Sequence, residues 1–145
     1  LALGVAEPRH GKASFEAVEY ALGELRLDGL MFHHDFAGVE MHAQMVTEIL
    51  EEAGRYKKDL IVQVHTAQHS MLEPPFAIWI LAQKFPEIRF LCGHPMMSKI
   101  QLDNMAAVVK QCPNIIFDAR SSDRTCGGIA GRIHQHHVRF RQSLL

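Results

Sequence analysis

The sequence has little of what would place it outside the cell or in a membrane. Its three cysteines, Cys92, Cys112 and Cys126, form no CxxC pair and cannot all be bridged, which fits a reducing compartment. No apolar run approaches the ~20 residues of a membrane span. No basic leader precedes an apolar core, so the expected location is cytoplasmic, without a secretion signal. Neither sign of charge dominates: 15 Lys and Arg face 16 Asp and Glu, and the net charge is −1 with histidine neutral. The basic residues are scattered, which excludes a nucleic-acid or anionic-membrane surface as the expected partner. No glycine-rich phosphate loop follows the first apolar run, which argues against a nucleotide-binding doubly wound domain.

What the chain does have is histidine at regular places. Five apolar runs each stop at an ionisable residue: Leu1–Glu7, Gly29–His33, Leu60–His65, Arg89–His94 and Asn114–Asp118. Their starts are roughly 25 to 32 residues apart, with room for one helix between each pair. That is the rhythm of consecutive βα units, whose parallel strands are buried on both faces and so read as continuous hydrophobic runs. Helices are expected around Phe15–Leu25 with Ser14 as N-cap, over Gly38–Lys58, over Phe76–Phe85, and over Lys99–Gln111. A (β/α)8 barrel takes about 250 residues. At 145 residues the chain holds five such units and part of a sixth, as a single domain over residues 1–145. Residues 124–145 form an atypical tail, rich in histidine and arginine and without a clear period.

In barrels built from βα units the C-terminal strand ends form the active face. Here those ends carry Glu7, His33, His34, Asp35, His65, His94, Asp118 and Arg120. A core strand gains nothing from ending in histidine so often, and the pattern points to a metal or acid–base site. His65 sits at the mouth of a β-branched strand, where rigid backbone gives an imidazole the placement a metal needs. His94, in Leu91-Cys92-Gly93-His94-Pro95, comes one unit later and would lie beside it, as a second ligand or as a base toward bound water. Of His33 and His34 only one can face the mouth, because side chains alternate along a strand, and His33 is the choice. Glu7 and Asp118 are either acid–base groups or helix caps. Arg120 is a candidate for gripping a substrate carboxylate. His134-Gln135-His136-His137 follows a glycine-rich stretch instead of a strand and is read as a surface or tail segment. Cys92, Cys112, Met96, Met97 and Trp79 are read as packing or loop residues.

The ordered segments Leu30–His33, Ile61–Thr66, Phe85–His94 and Pro113–Asp118 together resemble the amidohydrolase superfamily. The branch they are most similar to is the amidohydrolase-related one that includes aminocarboxymuconate-semialdehyde decarboxylase. The resemblance runs from about Leu1 to Asp123 and is most specific in Phe85-Pro86-Glu87-Ile88-Arg89-Phe90-Leu91-Cys92-Gly93-His94. It implies a partial TIM barrel of the metal-dependent hydrolase type, about strands three to seven, lacking the first two and the last. It also implies a divalent metal, zinc or else manganese, with His65 as ligand. His94 would be the catalytic group polarising a water at the metal, and His33 would lie near the substrate. The reaction implied is hydrolysis or decarboxylation of a small cyclic or unsaturated carboxylic acid. The family's first-strand HxH pair and last-strand aspartate have no counterpart here. Catalytic zinc usually takes three protein ligands and a water, so this chain by itself is expected not to bind metal tightly or turn over. The alternative expectation is a catalytically inactive truncated barrel that forms a homo-oligomer or pairs with another chain through its sheet edges and apolar helices. A complete flavodoxin-like domain ranks last.

Overall fold

The computed structural model describes residues 1–67, 69–93 and 99–117, with the side chains of 99–104 excepted. Five strands, β1 (Leu3–Val5), β2 (Gly29–Phe32), β3 (Ile61–His65), β4 (Arg89–Gly93) and β5 (Ile115–Phe117), form one sheet. All four pairings are parallel, and the spatial order is β1-β2-β3-β4-β5. Each strand lies beside its sequence neighbour with no reversal. A flavodoxin-like sheet runs 2-1-3-4-5 and places its ligand where the order reverses. That alternative is excluded. The observed order is compatible with an arc of an α/β barrel.

The connections are helical. They are α1 (Ala13–Val18), continued by a π-helical turn over Glu19–Glu24, then the short α2 (His34–Ala37), α3 (Gln44–Tyr56), α4 (Ala77–Lys84) and α5 (Lys99–Gln111). The expected helix over Gly38–Lys58 starts late. Gly38 takes a left-handed φ of 65° and closes α2, and the chain turns again through 39–43 before α3 begins. Within α3, Val46, Ile49, Leu50 and Ala53 are buried, the i, i+3, i+4, i+7 stripe of a helix packed on one side. Ser14 is not a cap: it lies inside α1, and its hydroxyl donates to the Glu7 carbonyl. Leu25, the apolar residue that ends the expected Phe15–Leu25 helix, is exposed. The reason is the π turn, in which the Leu25 N–H reaches back five residues to the Tyr20 carbonyl and rotates the face away from an α-helical period.

Alternation along the strands sorts the core. Leu30, Phe32, Val62, Val64, Phe90, Cys92, Ile115 and Phe117 are buried on one face of the sheet. The other face carries a cross-sheet row in register, Val5–Met31–Gln63–Leu91–Ile116. Val5 is 49% and Ile116 44% exposed, so among the described residues this face is only partly covered. The expectation that the strands are buried on both faces holds for one face only. An all-parallel sheet is rarely left bare on a face, and this row is where further burial would occur. Cys92 is the small core residue expected of it; burial pushes its thiol up to about 12, with the Thr66 hydroxyl as its hydrogen-bond partner.

Asn114 fastens β5 to the preceding unit. Its side-chain amide stands 3.1 Å from the Ala82 and Phe85 carbonyls and 3.0 Å from that of Ile88, so two N–H groups serve three acceptors by sharing. Asn114→Ala is expected to cost about 2 kcal/mol, since it orphans carbonyls at the α4–β4 turn. Asn114→Asp should cost more, because it turns an acceptor toward three others. Urea unfolding midpoints of the two variants check both the size and the order.

Candidate functional site

β2 and β3 pair Phe32 with Val64, so the next residues along, His33 and His65, emerge side by side at the C-terminal strand ends. Their rings stack with centroids 4.0 Å apart and planes 11° from parallel. Phe36 closes on the far side of His33 at 4.0 Å and is itself 73% exposed. His34 goes the other way. It is wholly buried against Phe32, with ring centroids 5.7 Å apart, and its Nδ1 faces the Val39 carbonyl at 3.1 Å. Burial lowers its pKa from 6.5 to about 4, against the opposing pull of the Val39 carbonyl. The backbone is still extended at His33 and enters α2 at His34, so the two adjacent histidines part, one beside His65 and the other in the core.

The third member was not singled out from the sequence. Glu73 lies between β3 and α4, just before Pro74-Pro75, and its side chain is wholly buried. One oxygen, Oε1, is 2.5 Å from Nδ1 of His65. The other, Oε2, accepts from the Asp35 N–H at 3.2 Å and lies 3.2 Å from Nδ1 of His33. The His33 contact is a close approach and not an aligned hydrogen bond. The loop holds Glu73 in place independently of the histidines. Ser70 Oγ accepts from the N–H groups of Leu72 and Glu73, and donates to Asp35 Oδ1. The Ala67 N–H donates to the Glu73 carbonyl. A buried acid in a loop carries no periodic signal. The only sequence hint was a carboxylate directly ahead of a proline pair at a helix start.

Donor atoms of His33, His65 and Glu73 lie within 4.8 Å of one another, a set that could hold a cation. Two imidazoles and a carboxylate are a donor chemistry that zinc accepts. The distances divide the roles. Ligands of one tetrahedral zinc at about 2.1 Å stand about 3.4 Å apart. The 3.2 Å between His33 Nδ1 and Glu73 Oε2 is compatible with that. The 2.5 Å between His65 Nδ1 and Glu73 Oε1 is a hydrogen bond and not a pair of ligands.

The remaining expected site residues divide in two. Glu7 follows β1, where its carboxylate faces Arg9 Nε at 3.2 Å, and it is not in the histidine group. His94, Asp118 and Arg120, with the tail 124–145, lie outside the described residues. Among the described residues no helix is long and apolar enough to cross a membrane. No protein-family model, no curated protein and no solved structure matches this chain.

Proposed function

We propose that this chain is the central arc of a metal-dependent hydrolase or decarboxylase, acting at its C-terminal strand ends on a small cyclic or unsaturated carboxylic acid. The observation that carries this reading is the stacked His33–His65 pair at the ends of adjacent parallel strands, above a buried carboxylate. The consecutive strand order supports it, since in a barrel wound this way reactive groups gather at those ends. His65 holds the cation, zinc or manganese. When bound, such a cation polarises a carbonyl and makes water acidic. His33, beside it and under Phe36, meets the substrate, where an imidazole can hydrogen-bond a carboxylate or pass a proton. His94 and Arg120 are the further groups this reading assigns, as acid–base and substrate carboxylate partner. The partly covered face, with Met31, Leu91 and the exposed Val5 and Ile116 in one row, favours a second reading, a catalytically silent arc that associates through this face.

Zinc titration of the metal-stripped chain against a chromophoric chelator, paired with His65→Ala, separates them. The first reading expects one site per chain, weaker than a closed three-ligand zinc site, and abolished in the variant. A parent chain that binds no zinc, yet sediments as a dimer or larger, sinks it in favour of the second.

A further inference from the structure

Glu73 is buried more completely than its role as a loop residue requires, and an ionisable group in that position needs partners for both oxygens. Both have them, and they differ. Oε2 is fixed from the backbone, by the Asp35 N–H at 3.2 Å. Oε1 is thereby presented to a single ring nitrogen, Nδ1 of His65, at 2.5 Å. A carboxylate only accepts hydrogen bonds, so the ring nitrogen facing it carries the hydrogen. In a neutral imidazole the other nitrogen then bears the lone pair, and the bond made by one nitrogen decides the state of the other.

We propose that Glu73 is a positioning residue for His65: it holds the imidazole in the Nδ1–H tautomer and so makes Nε2 the ring's ligand or base atom. The loop that carries Glu73 is built for that task. Ser70 ties the backbone N–H groups of Leu72 and Glu73 and reaches across to Asp35, and the Leu72 carbonyl accepts from the Met41 N–H at 2.8 Å. The carboxylate is therefore anchored by the Asp35 N–H, and the loop backbone by Ser70 and Met41, before it meets the ring. His33 Nδ1 lies 3.2 Å from Oε2 and does not compete for Oε1. What Nε2 does rests on the functional reading above; the tautomer itself does not.

Long-range proton–nitrogen NMR of the metal-stripped, nitrogen-15-labelled chain reads the tautomer directly. His65 is expected wholly as Nδ1–H, and Glu73→Met, which keeps length but removes both acceptors, should bring in the Nε2–H form. Where that variant loses amide dispersion, Glu73→Gln takes its place, because the amide can turn its NH2 toward Nδ1 and admit the Nε2–H form. Zinc affinity in the folded variant should fall about 10- to 100-fold, the usual loss on removing a carboxylate that orients a ligating histidine. A Co²⁺ absorption spectrum of unchanged form would show the ligand set intact. An Nε2–H ring in the parent chain, or a tautomer indifferent to the folded substitution, overturns the proposal. A locked Nδ1–H ring in a chain that binds no zinc leaves the positioning role standing and removes only the metal reading.

Discussion

Gly29→Ala is expected to lower the melting temperature by about 10 °C or to leave the chain insoluble, the largest effect of an added methyl group at any of the described glycines. A Cβ at Gly29 would sit 1.7 Å from the Ile61 carbonyl oxygen and 2.7 Å from its carbon. Those atoms belong to the β2–β3 pairing, where Gly29 is in register with Ile61, so relief requires the two strands to part at their first rung. Backbone cannot rotate out of the way as a side-chain tip can. Overpacking in a dense interior costs about 1–3 kcal/mol and more where the opposing atoms are backbone; about 3 kcal/mol or above is expected here. The strands also carry His33 and His65 at their other ends, so the same change should loosen the histidine stack. Gly54→Ala is the matched control. It adds the same methyl inside α3, where nothing lies within 4 Å, and should stabilise by about 1 kcal/mol through helix propensity alone. Thermal melts of the two variants beside the parent test the contrast. A Gly29→Ala chain melting with the parent would mean the β2–β3 approach is looser than the structure has it.

The second large effect is a loss of stability in mild acid. His34 is wholly buried, and burial lowers its pKa from 6.5 to about 4. Between those values the unfolded chain binds a proton on this ring and the folded chain does not. Stability therefore falls as pH drops from about 6.5 to about 4, is intact above that window, and changes no further through this group below it. The full loss is about 3 kcal/mol, a substantial part of a domain's margin. Its neighbours set the size without reversing the sign: His33 and His42 oppose the charge, while Asp35 and the Val39 carbonyl favour it. Urea midpoints across pH 7.5 to 4.5 for the parent and His34→Phe check this. Phe keeps an aromatic ring to stack on Phe32 but has nothing to protonate, so its midpoint should vary less with pH. Equal slopes in both chains would assign the acid sensitivity to other groups.

The strand rhythm was legible in the sequence because parallel strands are apolar enough to read as unbroken runs. The bounds of α5 coincide with the expected Lys99–Gln111, and β5 lies within the expected run Asn114–Asp118. Alternation leaves room for only one of His33 and His34 at the mouth, and the structure sets His33 on His65 and buries His34 in the first turn of α2. These are local or periodic properties, written residue by residue into the chain. The exposure of Leu25 was not legible, because a π turn and an α turn are built from the same residue types and differ only in which carbonyl the N–H reaches. The open row from Val5 to Ile116 was hidden for a related reason: an apolar run says that a strand can be buried on both faces, not that both are covered. Glu73 was the deepest omission. Eight residues after His65 and in a loop, it has no period to reveal it, and its burial depends on the Asp35 N–H bond to its carboxylate and the Ser70 hydroxyl bond to Asp35, which close only when β2 and β3 lie side by side. The chain's own order specified which residues would stand at the strand ends. Which carboxylate would meet them depended on long-range packing, since a buried charge is stable only where the rest of the fold has already supplied its partners.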